Sequence, residues 1–466
     1  MADAKTVPSA VPNLNVAIIG HVAAGKSTLA GQLILRFGGV DSGTLDEYRA
    51  EAERHGKGSD ALAWILNNLR VERETGRTQE NSLFGLNLDE NSLRSAGADR
   101  KGAPAVDAIR RFTFIDSPGE CGHAKQIHNA LSQADAALLV ISAVPGEFEN
   151  ALSQFQQHTT TAIMTGVKSY VVAVNKMDHP TVAYSASRFD EIRSYLKSYF
   201  EKRLRASSAI SYIPISASKP SNLLSSPRRT MPWYSGSTLV ASLAALRIHP
   251  RRSHAQNASK SLRVAIQRVF RVHGAGTVAT GRVERGTLRV GQKVVIAPRG
   301  LKATITSIEA HYVAKQAAGP GENVGFALHG VARCDVHSGD VVGDAEDNPP
   351  KEVKSFLAHM AVTNQPHSLR EGATHMLDCH SAHVPVKLQK IHSRLMGKDG
   401  TSKDLKVVDV EPKSLRPRER GEVLLLPLKP ICVEPSKECL YMGRFAIRSH
   451  DTTLASGTIK SVVYAE

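Results

Sequence analysis

Residues 20–27 read GHVAAGKS, a full match to the spacing G-x-x-x-x-G-K-[ST]. Glycines so placed let successive backbone N–H groups curl around a polyphosphate at a helix N-terminus, where unpaired donors and the helix dipole both favour anions. On this reading Gly20, His21, Val22, Ala23, Ala24, Gly25, Lys26, Ser27 and Thr28 form a phosphate cradle. Lys26 reaches the β- and γ-phosphates, and the Ser27 hydroxyl ligates Mg²⁺. A plain strand–helix turn is the competing reading, but NVAII before the motif and STLAGQLILRF after it supply the strand and helix that a phosphate loop needs.

Two further stretches carry chemistry. NKMD (175–178) ends the apolar run YVVAV. A carboxylate can accept two hydrogen bonds from guanine, at its ring N–H and its exocyclic amine, and adenine offers no such pair. Asp178 takes that part, with Asn175 bracing the loop, the Lys176 stem packing on the base and Met177 between them. Charge-assisted bonds of this kind contribute about 1.5–3 kcal/mol each, enough to set base selectivity. SAS (Ser216, Ala217, Ser218) closes the next strand as a second guanine loop, so GTP or GDP is the expected ligand. The third stretch, DSPGECGH (116–123), follows FTFI. An Asp-x-Pro-Gly turn at a strand end is where a nucleotide switch senses a phosphate, and Glu120 stands where a group that positions an attacking water is held.

The elements that must position these residues alternate. NVAIIG (15–20), FTFID (112–116), AALLVISA (136–143), YVVAVN (170–175) and YIPIS (212–216) read as buried parallel strands, separated by helical-period segments such as QIHNALSQA and FDEIRSYLKSYFEKRL. This predicts an α/β P-loop domain with a doubly wound, mostly parallel sheet and ligands at the carboxyl ends of its strands. The polar stretch 85–111 reads as a surface insertion. After a basic linker at 247–260 the pattern becomes short alternating strands punctuated by Gly, Pro and Asn, as in antiparallel barrels or sandwiches. A second boundary falls near 344–354, giving expected domains at 1–246, 247–346 and 347–466.

Across 466 residues, 59 Lys+Arg against 44 Asp+Glu give +15, which favours a polyanionic partner such as RNA. Local clusters stand at 227–229, 249–252 and 416–420; each also reads as a solvated basic face. Five scattered cysteines without a Cys-x-x-Cys pair suit a reducing compartment. With no signal-type leader and no long apolar run, a cytoplasmic protein with no membrane partner is expected, and a monomer.

The chain resembles the translational GTPases, most closely the eukaryotic elongation factor 1-alpha type. The resemblance is carried by GHVAAGKSTLAGQLI, AWILNNLRVERETGRT (63–78), FIDSPG, SQADAALLVISAVPGEFE, TGVKSYVVAVNKMD and MPWY. It continues through GAGTVATGRVERGTLRVGQKV (274–294), GENVGFALHGV, LDCHSAHVPVK (377–387) and GRFAIR. It implies a GTPase domain followed by two β-barrel domains, with aminoacyl-tRNA, the ribosome and a guanine-nucleotide exchange factor as partners. By resemblance, Thr78 closes on Mg²⁺ and the γ-phosphate, Asp116 holds a Mg²⁺-bound water, and the Gly119 N–H touches the γ-phosphate. Lys26, Thr78, Gly119 and Glu120 are then the catalytic group, and Ser27, Thr78 and Asp116 the metal group. Stretches 274–286 and 377–387 are where the resemblance places aminoacyl-tRNA. A single amphipathic helix over 63–78 is the bland alternative to a switch.

The sequence departs from the family at four places. Ala23 stands where an acidic residue is usual, and Arg77 where an apolar one precedes the switch threonine. Glu120 replaces the family's His, and 85–111 is inserted. A carboxylate beside the phosphates repels them, and a lost water-orienting group costs about 10²–10⁴-fold, so slowed hydrolysis is expected. Arg77 could instead pair with a phosphate, and His123, three residues on, is an alternative to the missing His. A slow or inactive GTP-binding regulatory protein, and a release- or rescue-type factor, are the competing functional readings.

Overall fold

The computed structural model describes residues 13–37, 39–56, 61–66, 70–88, 111–204, 210–246, 257–311, 313–363, 369–397, 405–449 and 452–465. They divide into two compact units. The first holds the described residues of Met1–Glu120, Ala134–Thr159 and Val167–Pro250; the second holds those of Cys121–Gln133, Thr160–Gly166 and Arg251–Glu466.

The first unit is built on a six-stranded sheet of β1 (Asn13–Gly20), β2 (Ser82–Asn87), β3 (Arg111–Asp116), β4 (Ala136–Ser142), β5 (Ser169–Asn175) and β6 (Ser211–Pro214), in the order β2-β3-β1-β4-β5-β6. Only β2 runs antiparallel; the other pairings are parallel. Every residue of β1 and β4 is buried, which explains their unbroken apolar runs, since a parallel strand is covered on both faces. The strand order reverses around β1, so the crevice at its carboxyl end is the natural ligand position, and there the helix Lys26–Arg36 begins.

Stretch 63–78 is not one helix. It contains parts of two short ones, Ala61–Trp64 and Arg70–Thr75. Gly76 ends the second in the left-handed region (φ 70), and residues 77–81 lead in irregular backbone to β2. Of the stretch read as an insertion, 85–87 belong to β2 and Arg111 opens β3, while 89–110 lie outside the described residues. The linker residues 247–256, with the basic cluster at 249–252, lie outside them too.

In the second unit two sheets close on themselves. One barrel runs in order through Lys293–Ala297, Val341–Asp344, Arg263–Val272, Gly276–Arg285, Asn323–His329 and Leu301–Ala310, which pairs back with the first. The other runs through Thr374–Cys379, Arg444–Ser449, Thr452–Tyr464, Val353–Val362, Arg420–Pro427 and Ala382–Gly397, which again closes on the first. Alternating residues fill each interior: Val264, Ile266, Ile305 and Phe326 in one, Phe356, Leu377, Val423 and Phe445 in the other. Four of the five cysteines, at 334, 379, 432 and 439, are free thiols. Among the described residues no helix is long and apolar enough to cross a membrane.

The barrels meet across a buried ion cluster. Glu434 accepts from Arg263 Nε at 2.5 Å and pairs with Arg285 Nη2 at 3.0 Å, all three side chains being at most 7% exposed. Removing the carboxylate leaves two guanidinium groups uncompensated in the interior, which costs about 3–5 kcal/mol. Glu434→Ala is therefore expected to lower the chemical unfolding free energy by that amount, measured on the full chain; a loss under 1 kcal/mol would contradict the cluster's role.

Candidate nucleotide site

The phosphate loop hangs from the carboxyl end of β1, and its shape needs its small residues. A Cβ on Gly20 would lie 2.1 Å from the Val140 carbonyl oxygen. Gly25 has φ 86, and its Cβ would lie 2.4 Å from Asn175 Nδ2. The helix Lys26–Arg36 starts from Gly25 without a side-chain cap, so its first N–H groups are offered to a ligand.

His21 is buried and pins the loop through both ring nitrogens. Nδ1 lies 2.7 Å from the Val22 carbonyl and Nε2 accepts from the Ser142 N–H at 3.2 Å, which assigns the neutral Nδ1–H tautomer. Burial pushes its pKa down to about 4.

Lys26 and Asp116 form the floor of the site. The Lys26 ammonium donates to the His21 carbonyl at 2.9 Å, and burial lowers its pKa to about 8 against the pull of Asp116. Asp116 is raised to about 6, chiefly by burial, although the Ser27 hydroxyl donates to its Oδ2 at 2.7 Å. Ser27 Oγ also lies 2.9 Å from Thr78 Oγ1. Asp116 Oδ1 is buried without a hydrogen-bond partner. Two hydroxyls and a carboxylate with an unused lone-pair face fit a hard divalent cation such as Mg²⁺. Gly119 presses its backbone against this floor: a Cβ there would sit 2.5 Å from Lys26 Nζ and 2.9 Å from the Val22 nitrogen.

The loops 175–178 and 216–218 are joined to the phosphate loop by the Asn175 side chain. Asn175 Nδ2 donates to the Ala24 carbonyl at 2.8 Å and its Oδ1 accepts from the Ala217 N–H at 3.0 Å. Met177 is buried and its N–H binds the Ile215 carbonyl. Asp178 accepts from the Ser218 hydroxyl at 2.9 Å, and Ser216 Oγ accepts from the Lys219 N–H at 3.0 Å. Lys176, at φ 62, extends to Glu147 at 2.7 Å, and Glu147 also accepts from Ser142 Oγ at 2.6 Å.

The segment carrying Thr78 is pinned from an unforeseen side. Glu72, only 1% exposed, accepts from the backbone N–H groups of Gln79 and Glu80 at 2.8 and 3.2 Å. Arg77 pairs with Glu120 Oε1 at 2.5 Å. His123 ends a 3-10 turn, Cys121–His123, in the second unit. Sequence reasoning missed Glu72, Glu147 and the pinning role of His21. The sequence signals available were small: an acidic residue six positions before the switch threonine, another following the β4 strand, and a His inside the phosphate loop.

Two barrel stretches complete the picture. Beside 274–277 lies an open groove of about 930 Å³, lined also by Arg271, Thr306, His329 and Arg333. The polar residues of 377–387 are largely spent inside the unit. Asp378 pairs with Arg448 at 2.7 Å and His383 at 2.5 Å, His380 meets the Cys432 carbonyl at 3.0 Å, and Ser381 donates to the Ile266 carbonyl at 2.7 Å.

A phosphate loop on a doubly wound sheet, followed along the chain by two closed barrels, is the architecture of a translational GTPase. Profile comparison agrees: residues 11–249 match the elongation factor Tu GTP binding domain, 276–343 elongation factor Tu domain 2, and 355–460 the GTP-eEF1A C-terminal domain-like family. Elongation factor 1-alpha of Stylonychia lemnae is 38% identical over 99% of this chain and 97% of its own length. Elongation factor 1-alpha of Tetrahymena pyriformis is 36% identical over 97% of each. The chain belongs to the elongation factor Tu/elongation factor 1-alpha family of GTP-binding translation factors. Its fold is also that of the S. cerevisiae Ski7 GTPase-like domain, solved bound to GTP, with a TM-score of 0.74 at 17% identity over 96% of this chain and 97% of that one. The Methanococcus maripaludis elongation factor SelB gives 0.64 at 17% identity, over 97% of this chain and 80% of that one.

Two outcomes follow from the site. Asn175→Ala strips partners from two buried backbone groups at about 1–3 kcal/mol each, so guanine-nucleotide affinity should fall at least tenfold by fluorescent-nucleotide titration. His21 takes up its proton only near pH 4 when folded but near 6.5 when unfolded. The unfolded chain therefore binds more protons between those values, and the stability His21 preserves above 6.5 is lost as pH falls toward 4, by about 3 kcal/mol. Unfolding of the nucleotide-free protein across pH 7.5–4 should lose about that much of its slope in His21→Asn, while buried His128 and His380, also held near 4, keep a slope of the same sign.

Proposed function

We propose that this chain binds GTP with Mg²⁺, carries aminoacyl-tRNA to the ribosome and releases it on GTP hydrolysis, with the chemical step slowed by Glu120. The observation that carries the reading is the Ser27–Asp116–Thr78 cluster. It brings one residue from the phosphate loop, one from the β3 strand end and one from the switch segment onto a single oxygen-lined point.

In this reading residues 20–28 cradle the phosphates, and Ser27, Asp116 and Thr78 hold the metal. When bound there, Mg²⁺ would supply charge neutralisation for the polyphosphate. Lys26 contributes fixed positive charge, and the Gly119 N–H meets the γ-phosphate. Asn175, Lys176, Met177 and Asp178, with Ser216, Ala217 and Ser218, select guanine. The domains run over 1–246, 247–346 and 347–466. The groove at 274–277 receives the tRNA end, while in 377–387 the exposed Lys387 is left to touch RNA. The protein acts as a cytoplasmic monomer served by an exchange factor.

Glu120 supports slow chemistry because its carboxylate is engaged by the Arg77 guanidinium instead of being turned to an attacking water. A GTP-binding regulator that hardly turns over is the second reading, favoured by the same residue. Single-turnover hydrolysis separates the two. Ribosomes with aminoacyl-tRNA should accelerate turnover, and Glu120→His should raise that rate by about 10²-fold, the low end of a positioned group's contribution. Tight GTP binding with no stimulation in either protein would overturn delivery in favour of the regulator.

A further inference from the structure

The pair Arg77–Glu120 joins the chain neighbours of two site residues. Arg77 precedes Thr78, whose hydroxyl lies 2.9 Å from Ser27, and Glu120 follows Gly119, whose backbone abuts Lys26 and Val22. The link from Arg77 Nη1 to Glu120 Oε1 is 2.5 Å, with side chains 62% and 32% exposed, so it lies at the solvent rim of the site. Downstream of Thr78, buried Glu72 already holds the N–H groups of Gln79 and Glu80. Upstream, the Arg77 N–H rests on Thr75 Oγ1 at 3.3 Å. Thr78 is thus gripped from behind by a buried carboxylate, and Arg77–Glu120 grips it from the front.

We propose that Arg77 and Glu120 are a positioning pair, an electrostatic latch that ties the switch segment to the D-x-P-G turn and must open before nucleotide leaves. The proposal rests on the GTP-binding reading above. Its chemistry is self-contained. Alone, Glu120 would add negative charge beside a polyphosphate, and Arg77 would be an unmatched cation. Paired, they carry no net charge and fix two loops to one another. An exposed ion pair contributes little by itself. Here its leverage comes from its neighbours, because loosening it frees the backbone that aims Thr78 and Gly119. An ionic closure also weakens with salt, unlike an apolar one.

The test is a double-mutant cycle on dissociation of a fluorescent GTP analogue, with Mg²⁺, from the full chain. Arg77→Ala and Glu120→Ala should each speed release about three- to fivefold, and the double variant should be no faster than either single one. The charge-swapped R77E/E120R protein should return to within about twofold of the starting rate. Raising KCl from about 50 to 500 mM should speed release from the original protein more than from R77A/E120A. Additive single effects, failure of the swap to restore slow release, or an equal salt response in R77A/E120A and the original protein would overturn the latch while leaving nucleotide binding intact. Absence of guanine-nucleotide binding by the unaltered chain would overturn both the latch and the GTP-binding reading.

Discussion

Burying Lys26 and Asp116 together on the floor of the phosphate loop is the constraint on which the rest of the nucleotide unit depends. Charges withdrawn from water are costly, and their own attraction repays the cost only in part. The shifts record this: burial drives the ammonium down to about 8 and the carboxylate up to about 6, each toward its neutral form. Asp116 keeps an oxygen without a partner. Such a floor is electrostatically incomplete; on the proposed function a polyphosphate and a divalent cation would complete it, giving Lys26 an anion and Asp116 a metal. The fully covered strands β1 and β4 provide the cohesion that tolerates the strain. Asn175 then carries the same rigidity across to the base loops, so that phosphate and base sites are registered to one another by a single amide.

What could be read from the sequence was local. GHVAAGKS and NKMD each carry their chemistry within a few residues, and the parallel strands announce themselves as unbroken apolar runs. What could not be read was pairing at a distance. Asn175 and Ala24 are 151 positions apart, and Lys176 and Glu147 are 29 apart. No periodicity connects them; only the sheet order does. Stretch 63–78 shows a subtler limit. Helical propensity is present on both sides, yet the chain makes two short helices there and then leaves helix at Gly76. The backbone beyond is held by Glu72 rather than by its own ladder, a tertiary demand that local preference does not reveal.

The polar stretch LDCHSAHV teaches the converse. The resemblance places aminoacyl-tRNA on its run of Asp, His, Ser and His. In the fold Asp378 faces Arg448, His380 faces a carbonyl, and Ser381 reaches the neighbouring barrel. Of these only the Ser381 contact crosses between the barrels, where Glu434 with Arg263 and Arg285 joins it. Polar residues at a barrel–barrel junction specify one docking geometry, because each lost partner leaves a buried group unsatisfied, whereas apolar contacts tolerate sliding. A polar sequence motif is therefore ambiguous between surface chemistry and buried specification until partners are known.

The same ambiguity, resolved the other way, bears on the departures near the switch. Taken singly, an Arg in place of an apolar residue and a Glu in place of a His each look like damage to a hydrolytic site. Taken as a pair they satisfy one another, since each supplies the charge the other lacks. Two independent losses would leave two unmatched charges at the rim of a phosphate pocket; one compensated exchange leaves none. The exchange alters the kind of closure more than its presence. An apolar residue excludes water with little regard to ionic strength, whereas an ion pair at the rim stays hydrated, is directional and yields to salt. A site closed in that way keeps its loops in place without drying the space between them, and it is the dryness around an attacking water that strengthens the surrounding electrostatics. On the proposed function, a retained nucleotide grip and a slowed chemical step share this one physical origin.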